Sequence, residues 1–232
     1  MPNALIIGAG DGLSAALARL LARQGYGVAL AARNPGKLAA LCAETGATAH
    51  SCDATDEAQV AALFEWQEAA PGGDAEVVVY NPSFRVRGPV AGLDPADVQR
   101  SLQVCAFGAF LAARQAVPRM LRAGSGGTGR GTILLTGASA GVKGYPLSAA
   151  FAMGKFALRG LAQSMARELH PQGVHVAHVV IDGGIRSGRR PEAGQDTLLD
   201  PEAIAESYLH LIRQPRSAWS WEIEVRPWVE QF

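Results

Sequence analysis

Short apolar segments alternate with longer segments of helical periodicity along most of this chain, and no other feature limits its fold as strongly. Segments such as VVV and ILL are apolar at successive positions, which is typical of strands covered on both faces, as in parallel sheets. About seven strands are predicted, at residues 4–7, 28–32, 48–52, 76–80, 132–136, 174–181 and 221–227. Helices are predicted at about residues 12–24, 35–45, 56–70, 94–122, 149–170 and 201–214. This βαβ order indicates an α/β fold with a doubly wound parallel sheet and helices on both faces.

Length and composition exclude several classes of partner. Residues 1–232 are predicted to form one domain, because open α/β sheets of this length commonly do. The chain has 21 Lys and Arg and 21 Asp and Glu, with the basic residues spread out, so neither nucleic acid nor a membrane is an expected partner. Without a basic leader or an apolar segment long enough to span a bilayer, a cytoplasmic location is expected. Cys42, Cys52 and Cys105 lack metal-ligand spacing and are expected to be reduced thiols, with no metal bound.

A glycine-rich loop lies between the first predicted strand and the first predicted helix. Gly8, Gly10 and Gly12 allow a sharp turn and let a diphosphate approach the helix N-terminus, which begins near Leu13. We interpret the loop as a dinucleotide site, and a plain tight turn is the alternative. Asp11, inside this loop, argues against a preference for NADP(H), because a carboxylate near a phosphate is repulsive unless it turns away or caps the helix.

The end of the second strand bears on the choice of cofactor. The sequence there is AARN, with no acidic residue to accept hydrogen bonds from a ribose diol. The guanidinium of Arg33 can instead pair with a 2'-phosphate. This favours NADP(H) over NAD(H), and an exposed Arg33 without a ligand is the alternative.

The order of the glycine loop, the VYN after the fourth strand and a late lysine resembles the short-chain dehydrogenase/reductase family over essentially the whole length. The family's glycine signature matches at Gly8 and Gly12, and Ser14 replaces its third glycine. The resemblance implies a Rossmann fold, a nicotinamide cofactor, a small carbonyl or alcohol substrate, and a homodimer or homotetramer.

Further family motifs match in order along the chain. Asp53 resembles the aspartate that bonds the adenine, and Asn81 occupies the second asparagine of Asn-Asn-Ala-Gly. Residues 104–108 resemble Val-Asn-x-x-Gly, and 181–187 resemble the segment that covers the nicotinamide. The resemblance and the loop together predict these cofactor contacts: Gly8, Gly10, Asp11, Gly12, Leu13, Arg33, Asp53, Ala54, Asn81, Pro82, Lys155, Gly183 and Ile185.

The family's catalytic serine, tyrosine, lysine and asparagine correspond to Ala138, Phe151, Lys155 and Cys105, so three of the four are changed. In the family the serine polarises the substrate oxygen, the tyrosine transfers the proton, the lysine holds the nicotinamide ribose, and the asparagine anchors a water. Lys155 is therefore expected to hold the nicotinamide ribose, in a Phe-x-x-x-Lys motif that replaces the family's Tyr-x-x-x-Lys motif.

Phenylalanine at position 151 shares a helix face with Lys155 but has no proton to transfer. Losing a positioned acid or base typically costs about 10²- to 10⁴-fold in rate. Ser139, next to the expected serine, is a candidate donor, with an ordinary turn residue as the equal alternative. Tyr145 and Ser148 are more simply read as turn or cap residues.

Several other features have structural explanations. Cys105 is expected to be a small buried hydrophobe, with a reactive thiol as the alternative. Residues 183–200 form a possible substrate lid, and residues 215–232 a strand and oligomer contact. The lid contains three arginines, Arg186, Arg189 and Arg190. They are expected either to meet an acidic group or to remain solvated. The histidines expected to have tertiary roles are His170, His175 and His178, and the tryptophans expected at the contact are Trp219, Trp221 and Trp228. Residues 123–131 are expected to be a flexible surface loop.

Two functions remain open from the sequence. The first is an NADP(H)-dependent oxidoreductase of the family with a degraded catalytic set, which uses Ser139 or a bound water for proton transfer. The second is an NADP(H)-binding protein without dehydrogenase turnover, acting as a cofactor sensor or as a partner in an assembly.

Overall fold

The computed structural model describes residues 1–124, 126, 129–188, 190–192 and 194–230. Seven parallel strands form one sheet in the order β3-β2-β1-β4-β5-β6-β7, which confirms the predicted doubly wound sheet. The strands are β1 Asn3–Ile7, β2 Gly27–Ala32, β3 Thr48–Ser51, β4 Val77–Tyr80, β5 Thr132–Thr136, β6 His175–Ile181 and β7 Glu222–Val225. The predicted strand ends differ from these by at most two residues, as is usual for element boundaries.

Helices cover both faces of the sheet. They are α1 Leu13–Arg23, α2 Ala39–Thr45, α3 Glu57–Glu68, α4 Pro95–Leu102, α5 Gly108–Arg122, α6 Ala149–Leu169 and α7 Pro201–Arg213. Successive residues of β1 point to opposite faces, so Ile6 packs with α1, α2 and α7, whereas Leu5 and Ile7 pack with α3, α5 and α6. All five residues of β1 are buried, which explains the unbroken apolar segments in the sequence.

The helix predicted over residues 94–122 is interrupted. Asp94 caps its start by accepting a hydrogen bond from the Ala96 amide at 2.8 Å, as the Asp-Pro pair suggests. A π-helical segment, Gln103–Phe107, then separates α4 from α5. The Tyr80 hydroxyl donates to the Val104 carbonyl oxygen of this segment at 2.7 Å. The interruption gives the buried tyrosine a partner, and no periodicity signal in the sequence predicted it.

The loop after α5 is less free than expected. Ser125, Gly127 and Thr128 lie outside the described residues. Gly129, however, is buried, and its amide donates to the Gln172 carbonyl oxygen at 2.7 Å. The expectation of a flexible surface loop is therefore wrong for the end of this segment, which packs against the turn that precedes β6.

A charged cluster joins α6 to the last two strands. The Arg159 guanidinium forms two hydrogen bonds of 2.7 Å with the Glu222 carboxylate. Nδ1 of His178, a fully buried residue, lies 2.9 Å from the same carboxylate. Because α6 carries Phe151 and Lys155, this cluster helps to fix the helix that matters most for the site.

The C-terminal aromatic residues pack largely within the chain. Trp219 stacks on His175, with ring centroids 4.8 Å apart, and Nε2 of His175 lies 2.9 Å from the Ser220 carbonyl oxygen. The Trp221 ring lies 5.7 Å from the Arg159 guanidinium. Trp219 and Trp221 are partly buried by these contacts, whereas Trp228 is 80% exposed, and the subunit contact expected through these residues stays a prediction. In the described part of the chain, no helix is both long and apolar enough to cross a membrane.

The cluster around Glu222 makes a stability prediction. Replacing Glu222 by Ala leaves Arg159 and the buried His178 without their acceptor, so the free energy of unfolding at neutral pH should fall by about 1–3 kcal/mol. Burial raises the pKa of Glu222, but the hydrogen bonds from Arg159 and His178 outweigh it and hold that pKa below its ordinary value. The stabilisation that ionised Glu222 provides is thus complete above its unfolded-state pKa of about 4.3. It is lost as the pH falls through its folded-state pKa.

Urea unfolding of Glu222→Ala and the wild type at neutral and acidic pH measures this difference. Glu206→Ala, at an exposed position on α7, is the matched control and should change the free energy of unfolding by less than about 0.5 kcal/mol. Equal effects of the two substitutions, or a Glu222 effect that grows on acidification, would contradict the prediction.

The glycine loop makes a second prediction. Gly8 has a φ of +81°, and a Cβ there would lie 2.7 Å from the ring and nitrogen of Pro82. A Cβ at Gly10 would meet nothing within 4 Å. Gly8→Ala should therefore lower the free energy of unfolding by about 1–3 kcal/mol, whereas Gly10→Ala should leave it unchanged or raise it by up to about 1 kcal/mol. Chemical denaturation of both variants tests this, and indistinguishable midpoints would refute it.

Candidate active site

A groove runs along the carboxyl ends of the strands. The groove lies at the point where the strand order reverses, because β2 and β3 are added on one side of β1 and β4 to β7 on the other. Open α/β sheets bind ligands at this point. A first cleft of about 590 Å³ is lined by Gly8, Arg33, Asp53, Ala54, Asn81 and Pro82, among others. A second cleft of about 470 Å³ is lined by Ser139, Phe151, Lys155, Gly183 and Ile185, among others. Asn81 and Ser83 line both clefts, so the two are adjacent.

The glycine loop ends at an uncapped helix. Gly12 is the N-cap of α1, and no side-chain hydrogen bond caps the helix. A Cβ at Gly10 or Gly12 would meet nothing within 4 Å, so the loop surface is open. Asp11 is exposed and does not cap α1, whereas Leu13 is buried. The first amides of α1 therefore retain hydrogen-bonding capacity on the open side of the loop.

The end of β4 is tied to the glycine loop by a short chain of hydrogen bonds. Nδ2 of Asn81 donates to Oγ of Ser14 at 2.7 Å, and Oγ of Ser14 lies 3.4 Å from the Gly8 carbonyl oxygen. The Asn81 amide donates to the Ile7 carbonyl oxygen at 3.0 Å. Ser14 thus links two of the predicted motifs, a role that its place in the glycine signature did not suggest.

The first cleft has a polar and cationic wall. Oδ1 of Asp53 accepts hydrogen bonds from the Thr55 amide at 3.0 Å and the Thr55 hydroxyl at 2.8 Å. The Thr55 amide bond, helped by the hydroxyl and by Arg33, holds the pKa of Asp53 below its ordinary value despite partial burial. Arg33 is exposed, and Lys37, four residues later, is exposed in the same cleft. Lys37 was missed from the sequence, although its spacing from Arg33 on the turn after β2 was a usable signal.

Lys155 is a buried ammonium at the meeting point of β5 and α6. It is 2% exposed, and Nζ donates to the Thr136 carbonyl oxygen at 2.8 Å. Burial lowers its pKa. Among the described residues no carboxylate forms an ion pair with it. An ammonium has three donors, so Lys155 can donate to a further acceptor in the second cleft.

Phe151 lies between two cations. Its ring centroid is 5.8 Å from Nζ of Lys155 and 5.5 Å from Cζ of Arg85. It packs with Cys105 and Ala140 in a small apolar cluster. Cys105 is fully buried, with Sγ 3.7 Å from the Phe84 carbonyl oxygen, in agreement with the expected small buried hydrophobe. At position 151 the chain therefore supplies an aromatic ring and no titrating hydroxyl.

The second cleft is lined by five hydroxyl residues, Ser83, Thr136, Ser139, Tyr145 and Ser148, of which the last three are the candidate proton donors. Ser139 is half-buried and begins the turn Ser139–Gly141, next to Ala138. Ser148 is buried before α6 and makes no capping hydrogen bond there, while Tyr145 is 41% exposed. All three face the cleft that also contains Lys155. Ser139 remains the candidate closest in sequence to the missing serine.

The segment 183–200 folds back on itself. Ile185 and Leu199 form a parallel bridge, and the Arg186 amide donates to the Leu199 carbonyl oxygen at 2.8 Å. The Arg186 guanidinium pairs with Asp200 at 2.9 Å and with Glu192 at 3.5 Å. Arg186 thus meets carboxylates of its own segment while its side chain is 45% exposed to solvent. Arg189 lies outside the described residues, and Arg190 lines the second cleft.

Other lining residues were missed from the sequence. Arg85 and Arg87 follow Asn81 in NPSFRVRG and line the second cleft. Their spacing of two in a segment after a strand end was an available signal. Glu230 reaches the same cleft from the C-terminal tail, which no local pattern predicts.

Among the described residues, no three His, Cys, Asp or Glu side chains are grouped so that they could hold a metal ion.

Comparisons with known proteins agree with this geometry. The family model described as short chain dehydrogenase matches residues 2–196. An uncharacterized oxidoreductase of Staphylococcus aureus strain N315 is 27% identical over 230 residues, covering 97% of this chain and 96% of the relative.

Two solved structures also align over nearly the whole chain. The short-chain dehydrogenase of Rhodopseudomonas palustris has a TM-score of 0.84 and 34% identity, with 98% of this chain and 99% of that chain covered. The alcohol dehydrogenase of the archaeon Thermococcus sibiricus, complexed with 5-hydroxy-NADP, has a TM-score of 0.86 and 25% identity, with 100% and 98% covered. The match of the family model over most of the chain confirms the resemblance seen in the sequence, and this chain belongs to the short chain dehydrogenase family.

Proposed function

We propose that this chain is an NADP(H)-dependent oxidoreductase that interconverts a carbonyl and an alcohol on a small molecule. The observation that carries the proposal is a pair of adjacent clefts. One is lined by Gly8 of the glycine loop, which leads into the uncapped N-terminus of α1, and the other by a buried ammonium that has no carboxylate partner among the described residues. The first feature suits a diphosphate, and the second suits ribose hydroxyls. Family membership supports the same reaction class.

The residues present fit a nicotinamide dinucleotide. A Cβ would meet nothing at Gly10 and Gly12, so a diphosphate can approach the loop backbone closely. Asp53 keeps a low pKa and stays an acceptor at neutral pH. The residues that would hold the cofactor are Gly8, Gly10, Gly12, Leu13, Arg33, Asp53, Ala54, Asn81, Pro82, Lys155, Gly183 and Ile185, with Asp11 turned to solvent.

The preference for NADP(H) rests on charge at one end of the groove. Arg33 and Lys37 are both exposed in the first cleft, and neither forms an ion pair among the described residues. Two unpaired cations favour a 2'-phosphate over a bare diol. The complex of the Thermococcus sibiricus relative with 5-hydroxy-NADP supports the same choice.

The chain's own residues divide the work of the reaction. A bound nicotinamide supplies or accepts the hydride. Lys155 binds and orients through the donors that Thr136 leaves free, and its positive charge favours negative charge on a nearby oxygen. Phe151 and Cys105 exclude water from the apolar side of the cleft. Proton transfer falls to the Ser139 hydroxyl or to a water that it orients, because Phe151 has no proton.

A second candidate function follows from the same substitutions. Ala138, Phe151 and Cys105 together remove the family's serine, tyrosine and asparagine, while the residues that would hold the cofactor are retained. An NADP(H)-binding protein without turnover, serving as a sensor or an assembly partner, requires no proton donor.

A homodimer or homotetramer is proposed as well. Apolar side chains about half exposed lie on α6 and where the π-helical segment joins α5, including Phe107, Phe110, Met153 and Phe156. Trp228 adds an exposed aromatic in the C-terminal segment. Contiguous exposed apolar residues commonly mark protein interfaces.

Two further expectations remain predictions. Residues 183–200 are predicted to act as a substrate lid, and the protein is predicted to be located in the cytoplasm.

Cofactor choice is tested by titrating NADPH and NADH against wild type and Arg33→Ser, following cofactor fluorescence. The substitution should weaken NADPH binding by about 10- to 100-fold, since it removes a charge-assisted pair. NADH affinity should change by less than about threefold and serves as the internal control. Tighter binding of NADH than NADPH by the wild type would refute the proposed preference.

Turnover is tested by assaying carbonyl and alcohol substrates with saturating NADPH or NADP⁺. If Ser139 transfers or orients the proton, Ser139→Ala should lower kcat by about 10²- to 10⁴-fold while NADPH binding is retained. Phe151→Tyr restores a phenol next to Lys155 and should raise kcat. A wild type that binds NADPH but turns over no substrate, while Phe151→Tyr does, would instead establish the non-catalytic function.

A further inference from the structure

The second cleft has an excess of positive charge. Its lining contains four cationic side chains, Arg85, Arg87, Lys155 and Arg190, and one carboxylate, Glu230. Lys155 is buried at the base of the cleft, whereas the three arginines are exposed around it. A neutral carbonyl compound does not need three guanidinium groups, so their presence calls for a partner of opposite charge.

The charge of these arginines is not neutralised within the described chain. None of the ion pairs among the described residues includes Arg85, Arg87 or Arg190. Other cations nearby do have carboxylates: Arg186 pairs with Asp200 and Glu192, and Lys143 lies 3.5 Å from Asp182. The contrast separates arginines that hold the fold together from arginines that are left for a ligand.

Two of the three arginines have defined positions. Arg85 lies over the Phe151 ring, with Cζ 5.5 Å from the ring centroid, next to the position from which the family tyrosine would act. The backbone of Arg190 exchanges hydrogen bonds with Ser187 at 3.0 and 3.1 Å. The Arg190 guanidinium lies against Gly184, where any Cβ would collide with it. Contacts that fix a guanidinium before binding lower the entropy lost when it pairs with a ligand.

We propose that the substrate carries an oxyanion group, a carboxylate or a phosphate, in addition to its carbonyl or alcohol, and that Arg85 and Arg190 bind this group. This inference rests on the proposed function, whose substrate class it narrows. The planar guanidinium matches the oxygens of carboxylate and phosphate in two-point hydrogen bonds. Arg87 adds charge at the same cleft and strengthens the attraction of anions.

The test uses three probes that share one aldehyde and differ in charge: 4-formylbenzoate, 4-formylphenyl phosphate and the neutral methyl 4-formylbenzoate. Calorimetric titration into the protein, with and without saturating NADPH, measures each dissociation constant without requiring turnover. At least one anionic probe should bind about tenfold or more tightly than the ester, and the ratio should shrink at high ionic strength. The stronger of the two anions identifies carboxylate or phosphate as the natural group.

Substitutions assign the preference to its residues. Arg85→Gln and Arg190→Gln should each reduce the ratio of anion to ester affinity by about fivefold or more, while the ester affinity changes little. Arg186→Gln is the matched control, because this arginine of the same segment is already paired with Asp200 and Glu192. Its ratio should equal that of the wild type.

The outcomes separate this inference from the proposed function. If the wild type binds NADPH but shows no anion preference, or binds none of the probes, the anionic-substrate inference is overturned and the cofactor proposal stands. The same holds if the preference survives in both Arg85→Gln and Arg190→Gln. If the anion preference follows these arginines while NADPH fails to bind, the anion site stands and the oxidoreductase proposal fails.

Discussion

Burial of both faces of a parallel sheet is the constraint on which the rest of this structure depends. Every residue of β1 and β4 is buried, so helices must pack on each side, and only the strand ends remain open to ligands. The order of the strands then leaves a crevice between the ends of β1 and β4, where the chain winds in opposite directions. The glycine loop and Asn81 stand on either side of this crevice and are joined through Ser14.

Within this crevice, the two ends differ in chemistry. At one end, Asp53 and Asn81 make hydrogen bonds that fix their positions. At the other end, Phe151 keeps an aromatic ring beside Lys155 but contributes no proton, and Cys105 fills a fully buried space. The ring instead contacts a guanidinium, that of Arg85. The chemistry of this site therefore has to be understood from cations and hydroxyls that surround an apolar centre.

The sequence predicted the fold and named several of the residues that line the two clefts. Strands such as Thr132–Thr136 were found to the residue, because buried parallel strands are apolar at successive positions. Helix starts at Asp94 and Asp200 could be read from capping residues before proline. The π-helical segment could not be predicted in this way, because it accepts a hydrogen bond from the buried hydroxyl of Tyr80, a residue distant in sequence. Glu230 was equally hidden, since a residue near the C-terminus reaches the site only through the folded chain.

The sequence by itself determined the doubly wound sheet, the open glycine loop and the absence of a titrating hydroxyl on the side chain of residue 151, because each depends on local periodicity or on the chemistry of one residue. Only the tertiary structure decided which charged groups are partnered. It pairs Arg186 with Asp200 and Arg159 with Glu222, and it leaves Arg85 and Arg190 at the cleft without carboxylates among the described residues. The physical reason is that an ion pair depends on a separation of a few ångströms between residues distant in sequence, and only the packing of the whole chain sets that separation.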